Sequence, residues 1–129
     1  MKVFVSAPLT ENLDNNFLSQ MENLIKEFGM EPVVPHHYKG KSATLEDEIK
    51  NNFALLDGSD MVIAEVTKPS HGVGMEILYA HQKKKGILFI KKNGARLSGM
   101  VAVHGKTIEY ETFEDLREKL LPELRNNGI

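Results

Sequence analysis

A carboxylate just beyond a short, glycine-containing loop is the residue of this chain best placed to do chemistry. The loop, residues 67–74, follows an apolar run and carries Ser70, Gly72 and Gly74, and Glu76 comes two residues later. An apolar strand, a loop with glycines and a helix N-terminus can hold an anion, because free backbone N–H groups point outward there. This pattern predicts a helix that starts near Gly74, with Glu76 in its first turn.

Two interpretations of Glu76 follow from the pattern alone. Acidic residues are common in the first turn of a helix, where the dipole stabilises them without any further role. A carboxylate beside an anion-binding loop is instead a candidate catalytic group. Asn52 also has two interpretations, because it lies beside the apolar stripe of a predicted helix. It is either an amide at the edge of the core or a contact for a ligand.

Composition narrows the classes of function. A chain of 129 residues with a net charge of −2 is long enough for one domain and lacks the basic surplus of a general nucleic-acid binder. It contains no cysteine, and the adjacent His36 and His37 do not have the spacing of a metal site. No apolar run approaches the ~20 residues of a membrane span. We expect one domain over residues 1–129, in the cytoplasm, that needs no metal or other cofactor and binds neither nucleic acid nor membrane.

Segments typical of strands and helices alternate along the chain. The run 3–6 is suited to a buried strand, and Phe17, Met21 and Leu24 then recur at helical spacing. Prolines on both sides of 33–34 indicate an edge strand. We expect strands at 3–6, 33–34, 61–66, 87–90 and 107–110, and helices at 14–28, at 44–58, from near 74 to 83, and from 112 onward.

This alternation predicts right-handed βαβ units and therefore an α/β fold. The expected architecture is a small doubly wound sheet, Rossmann-like or flavodoxin-like, with five parallel strands in the order 2-1-3-4-5 and helices on both faces. Ligands bind such sheets at the carboxyl ends of the strands, where the strand order reverses between strands one and three. We expect a site built from the loops after Ser6 and Val66, with a contribution from the loop after Ile90.

The segment 64–76, Ala-Glu-Val-Thr-Lys-Pro-Ser-His-Gly-Val-Gly-Met-Glu, closely resembles the signature of the nucleoside 2-deoxyribosyltransferase superfamily. Within it, the chain is most similar to the branch of 2′-deoxynucleoside 5′-monophosphate N-hydrolases. The resemblance extends from about residue 49 to residue 100 and more loosely over the whole length. It implies the small doubly wound sheet already expected and assembly as a homodimer.

The resemblance also implies roles for individual residues. Glu76 matches the nucleophilic glutamate that attacks the anomeric carbon of the sugar. Ser70 matches a loop serine that binds the 5′-phosphate, and Ser98 matches a serine given to the phosphate site of the neighbouring subunit. Gly72 and Gly74 match the glycines that shape the phosphate loop.

Three further positions concern the base and the sugar, and two of them depart from the family. His37 matches a histidine near the base. Phe4 stands where the family usually has a tyrosine in strand one, and Asn52 stands where it usually has an aspartate that helps to protonate the departing base. Asn52 can form hydrogen bonds with a base but cannot act as a general acid. Ala7 and Pro8 replace the usual Gly-Ser after the first strand.

These residues predict hydrolysis of the N-glycosidic bond of ribo- or deoxyribonucleoside 5′-monophosphates, which gives free base and sugar 5-phosphate. A carboxylate beneath the anomeric carbon suits this chemistry, because the sugar becomes positively charged as the bond breaks. Two alternatives stay open. One is a deoxyribosyltransferase, in which a second base replaces water, and the other is a nucleotide-binding module without catalysis.

Overall fold

Helices and strands alternate along the chain, as the sequence predicts. The computed structural model describes residues 1–8, 15–35 and 41–127. Its strands are β1 (Lys2–Ser6), β2 (Glu31–Val33), β3 (Met61–Glu65), β4 (Gly86–Lys92) and β5 (Lys106–Tyr110). Its helices are α1 (Asn15–Glu27), α2 (Leu45–Asp57), α3 (His71–Gln82), α4 (Gly99–Ala102) and α5 (Phe113–Asn127).

The five strands form one parallel sheet in the order β2-β1-β3-β4-β5. Phe4 is in register with Val62, and Ser6 is in register with Ala64, so the carboxyl ends of β1 and β3 lie side by side. The predicted α/β class and strand order are therefore confirmed. β2 lies at the edge of the sheet, where its Pro32 is tolerated because an edge strand can lack one N–H donor.

Alternate side chains of the central strand β1 enter different layers of the core. Val3 and Val5 pack in the layer formed with α1 and α5, whereas Phe4 packs in the layer formed with α2 and α3. A completely buried side chain such as Phe4 contributes roughly 1.5–3 kcal/mol relative to an exposed one. Because side chains of a strand alternate, Ser6 lies on the same face as Phe4, toward α3.

Helix α3 begins earlier than the sequence predicts. Ser70 is its N-cap, and the side chain of Ser70 accepts a hydrogen bond from the backbone N–H of Val73 at 3.3 Å. The predicted start near Gly74 was therefore wrong, and Glu76 lies in the second turn rather than the first. The serine cap satisfies a free N–H group, and burial of Val73 and Ile77 compensates the low helix propensity of the two glycines.

A short helix that the sequence analysis did not predict follows β4. Ser98 is the N-cap of α4, and its Oγ accepts a hydrogen bond from the backbone N–H of Met100 at 3.3 Å. Four residues are too few to show a helical period, which explains why the pattern gave no signal. In the part of the chain that the structure describes, no helix combines the length and the apolar character needed to cross a bilayer.

Candidate active site

A cavity of about 460 Å³ opens at the carboxyl ends of β1 and β3, which is the position predicted for a ligand site. Residues that follow β1, β2 and β3 line it, together with one face of α2 and the start of α3. Its lining residues are Val5, Ala7, Pro35, Leu45, Ile49, Asn52, Phe53, Pro69, Ser70, Gly72, Val73, Met75 and Glu76. This cavity is the larger of two that Ser70 lines. It brings together four of the predicted site residues: Asn52, Ser70, Gly72 and Glu76.

Glu76 is partly buried in the larger cavity and is held by a single side chain from the sheet. The Ser6 hydroxyl donates a hydrogen bond to Glu76 Oε1 at 2.8 Å. Burial raises the pKa of Glu76 above its usual value, and the hydrogen bond from Ser6 offsets part of that rise. Among the hydrogen bonds of the described residues, none involves Oε2, so this oxygen can approach a ligand.

Ser6 is a site residue that the sequence analysis missed. Its side chain is 1% exposed and lies at the last position of β1, one strand away from the segment that leads to α3. Strand β1 thus presents a hydroxyl to Glu76 at Ser6, two residues after Phe4 on the same strand face. The signal was present in the sequence, because a serine that ends a buried strand at the reversal point of the sheet faces the site.

We expect Ser6→Ala to change the pH dependence of activity. Loss of the donor removes the interaction that lowers the pKa of Glu76, so the carboxylate should become protonated at a higher pH. The rising limb of kcat/KM against pH, which reports groups of the free enzyme, should move to higher pH in the variant.

Ser59→Ala is the matched control for this experiment. Ser59 is equally buried, at 2% exposure, and its hydroxyl donates to the backbone carbonyl of Leu55 at 2.8 Å, away from Glu76. It should leave the rising limb in place. An unchanged limb in Ser6→Ala would show that Ser6 does not tune Glu76.

Asn52 faces the larger cavity from α2 with part of its amide unsatisfied. Its Oδ1 atom is buried and has no hydrogen-bond partner among the residues that the structure describes. Leaving a buried acceptor unpaired costs about 1–3 kcal/mol, so such an atom in a cavity wall calls for an explanation. A donor group of a bound ligand would supply the missing bond, which favours the ligand-contact interpretation of Asn52 over the purely structural one.

The start of α3 separates the larger cavity from a second one of about 180 Å³. Ser70 and Val73 line both cavities, Gly72 lines the larger one, and Gly74 lines the smaller one. The two glycines lack side chains that would cover the first turn of the helix. A negatively charged group at Ser70 would therefore meet exposed helix N–H groups and the positive end of the dipole.

The other serine that is predicted to bind the phosphate lies at the smaller cavity. Ser98 lines it together with Ser70 of the same chain, and the cationic side chains Lys68 and Arg96 complete its polar wall with the imidazole of His71. Residues of α3 and α4 and three apolar side chains outside the helices, Val66, Pro69 and Leu97, form the rest. The structure thus places both serines at one cavity within a single chain, while Ser98 is not among the residues that line the larger cavity beside Glu76.

A buried carboxylate holds the loop that leads from β3 to Ser70. Glu65 is 4% exposed, and its carboxylate accepts hydrogen bonds from the Thr67 backbone N–H, at 2.5 Å, and from the Tyr110 hydroxyl. Burial and the neighbouring Glu65 raise the pKa of Tyr110 far above its usual value, so the phenol remains a donor. Thr67 Oγ1 also accepts from the backbone N–H of Lys92 at 3.0 Å, which joins the loop to β4.

One predicted site residue lies away from both cavities, and another falls outside the described residues. Phe4 is completely buried in the layer under α2 and α3 and lines neither cavity, so its relation to a sugar stays a prediction. His37 lies outside the described residues, although Pro35, which precedes that segment, lines the larger cavity. Within the described ranges, no cluster of three or more His, Asp or Glu side chains could hold a metal ion.

Curated relatives of the chain are N-hydrolases of nucleotides. A 5-hydroxymethyl-dUMP N-hydrolase of Branchiostoma floridae is 37% identical over 84 residues, which cover 62% of this chain and 77% of that protein. A candidate 2′-deoxynucleoside 5′-phosphate N-hydrolase of Methanosarcina mazei is 35% identical over 96 residues, or 70% of this chain. The match spans 60% of the length of the Methanosarcina protein.

Solved structures agree on the fold. A 2-deoxyribosyltransferase of Bacillus psychrosaccharolyticus superposes with a TM-score of 0.76 over 96% of each chain, at 14% sequence identity. At this identity the likeness establishes the architecture alone. No family model matches the chain.

Proposed function

The chain belongs to the family of 2′-deoxynucleoside 5′-phosphate N-hydrolases, and we propose that it hydrolyses the N-glycosidic bond of nucleoside 5′-monophosphates with Glu76 as nucleophile. The position of Glu76 carries this proposal. Its carboxylate is partly buried in a cavity large enough for a nucleotide, is held through one oxygen and leaves the other available. That arrangement suits attack on carbon better than it suits a merely structural role.

The reaction would proceed in two steps. Glu76 attacks the anomeric carbon, the bond to the base breaks, and the bonding electron pair leaves with the base. Water then cleaves the resulting ester and regenerates the carboxylate. The hydrogen bond from Ser6 favours the ionised form of Glu76 and offsets part of the effect of burial on its pKa, and partial removal from water leaves the attacking oxygen poorly hydrated.

Ser70 would bind the 5′-phosphate at the other end of the substrate. Its hydroxyl lies at the start of α3, where the helix dipole favours negative charge. Binding energy gained there orients the sugar over Glu76, although the phosphate itself does not react.

Chromatographic detection of free base tests the proposal directly. The protein is incubated with a panel of ribo- and deoxyribonucleoside 5′-monophosphates, and base and sugar 5-phosphate are expected in equal amounts. Binding of a monophosphate without any release of base would favour the non-catalytic module, which the absence of an acid at Asn52 makes a real alternative. Formation of a new nucleotide when a second free base is added would instead identify a transferase.

Exposed apolar residues around α3 and α4 support the proposal that the active unit is a two-fold symmetric homodimer. Met100 and Val103, close to Ser98 in sequence, are 82% and 79% exposed, and Met75 and Leu78 of α3 are 64% and 50% exposed. Grouped apolar side chains of this kind mark interaction surfaces. In such a dimer Ser98 would complete the phosphate site of the neighbouring subunit, whereas in a monomer it would serve the smaller cavity of its own chain.

Mixing two impaired variants distinguishes these arrangements. If Ser98 acts across the interface, a hybrid of Glu76→Gln and Ser98→Ala subunits contains one intact site. Random exchange should then restore about a quarter of wild-type activity. Each variant taken alone through the same exchange procedure is the control. No gain on mixing, or a fully active monomer in sedimentation, would contradict donation across the interface.

A further inference from the structure

The larger cavity offers a nucleophile but no acid among its described residues. Of the described residues that line it, Glu76 alone has an ionisable side chain, and the proposed reaction uses it as the nucleophile. Asn52 faces the cavity from α2, and an amide can donate or accept hydrogen bonds but cannot transfer a proton to a departing base. With the described residues of this cavity alone, the chemistry suits a base that departs without protonation.

The charge of the base decides whether an acid is needed. A neutral base takes up the bonding electron pair as an anion and needs a proton, and a positioned acid contributes roughly 10²–10⁴-fold to such a step. A base that is already a cation takes up the same pair and leaves neutral. It needs no proton from the enzyme.

The walls of the larger cavity also suit a cationic ring. A positive charge beside Glu76 would compensate the burial of its carboxylate, which has no cationic partner among the ion pairs of the described residues. The aromatic ring of Phe53 lines the same cavity and packs at 4.9 Å from the ring of Tyr79. An aromatic ring face attracts cations most strongly where water is excluded.

We infer that the preferred substrates are nucleoside 5′-monophosphates whose aromatic base carries a fixed positive charge, as an N7-alkylated purine does. This inference rests on the proposed function and specifies the class of base. Glu76 forms a bond from a carboxylate oxygen to the anomeric carbon, and the C–N bond breaks with its electron pair moving to the ring nitrogen. The base leaves neutral, water cleaves the ester, and one proton from that water passes to solvent.

A substrate pair that differs by one methyl group tests the inference. Guanosine 5′-monophosphate and 7-methylguanosine 5′-monophosphate have the same size apart from the N7 methyl, which fixes the positive charge. Each kcat/KM is divided by the rate of hydrolysis in buffer, because the methylated bond is intrinsically weaker. The normalised value should be at least about 10²-fold higher for the methylated nucleotide, the lower end of the contribution expected from a missing acid.

Asn52→Asp should reduce this discrimination. A carboxyl group at the buried position of Oδ1, close to another carboxylate, should retain its proton and supply the missing acid. The ratio of methylated to neutral kcat/KM should fall at least tenfold, and the neutral substrate should acquire a falling limb at high pH. Asn51→Asp is the matched control, since it adds the same carboxyl group one residue away on α2, outside the described cavity wall. It should leave the ratio unchanged.

Several results would overturn the inference. Equal normalised values for the two nucleotides, or an unchanged ratio in Asn52→Asp, would show that the charge of the base does not matter. Efficient release of neutral guanine with an alkaline limb that disappears in His37→Ala would show that His37 supplies an acid. These outcomes leave hydrolysis by Glu76 intact, whereas no Glu76-dependent release from either nucleotide would contradict the proposed function itself.

Discussion

Replacement of Glu76 by glutamine should lower base release by on the order of 10⁴-fold or more, because it removes a nucleophile that acts in the transition state. Glutamine keeps the shape of the side chain and can still accept the hydrogen bond from Ser6, so the geometry of the larger cavity should survive. The measurement is kcat for release of free base under saturating monophosphate. Turnover close to wild type would rule out Glu76 as the nucleophile.

The stability of the same variant shows whether lost activity reflects lost chemistry. Burial raises the pKa of Glu76 in the folded chain, so the folded state binds its proton more tightly than the unfolded state does. The contribution of Glu76 to stability is therefore most favourable at low pH and is lost as the pH rises through the folded-state pKa. Glu76→Gln should be at least as stable as wild type at pH 7 in urea unfolding, with a smaller difference near pH 4. A strongly destabilised variant would contradict this account of its burial.

Nucleoside 5′-monophosphates should be preferred to the corresponding nucleosides by a large factor. Ser70 and Ser98 are each expected to donate one hydrogen bond to a charged phosphate, worth roughly 1.5–3 kcal/mol, or about 10- to 150-fold apiece. The measurement compares kcat/KM for a nucleoside and its monophosphate in wild type, Ser70→Ala and Ser98→Ala. Equal cleavage of the two substrates by wild type would mean that the start of α3 does not bind phosphate.

Two further variants separate recognition of phosphate from capping of the helix. Ser70 is also the N-cap of α3, and loss of a cap alone costs about 1 kcal/mol of stability. Ser70→Asp keeps a good cap but repels phosphate, so it should lose the monophosphate preference while retaining stability. Thr112→Ala removes a similar cap, which accepts from the backbone N–H of Asp115 at 3.2 Å, from α5. It should lose stability but keep the preference.

The strand order and the location of the site were predictable because they depend on periodicity and connection rules. Alternating segments fix a parallel sheet, and the reversal of strand order then fixes where its loops meet. The contact of Ser6 with Glu76 was harder to predict, because it joins residues 70 positions apart and depends on the direction of two side chains. The unsatisfied Oδ1 of Asn52 depends on how α2 packs, which its sequence does not reveal.

Local caps account for the remaining differences. The sequence analysis treated the glycines as part of a loop and therefore placed the start of α3 near Gly74. In the structure the Ser70 side chain accepts a hydrogen bond from an N–H group of the first turn, which lets the helix begin before the glycines. A serine three residues before an apolar position predicts a helix start as strongly as the glycines predict a loop. The low helix propensity of glycine nevertheless favoured the later start.

Ser70 caps α3 and Glu76 lies in its second turn, so one continuous helix fixes the distance between these two positions. They are six positions apart along the chain, which corresponds to a rise of about 9 Å along the helix axis. A loop could stretch to fit longer or shorter molecules, but a helix keeps its rise. Inserting one residue between the two would turn Glu76 by about 100° about the axis and away from the cavity. In the proposed reaction, the distance between the phosphate and the bond to be cut is therefore set by the backbone itself.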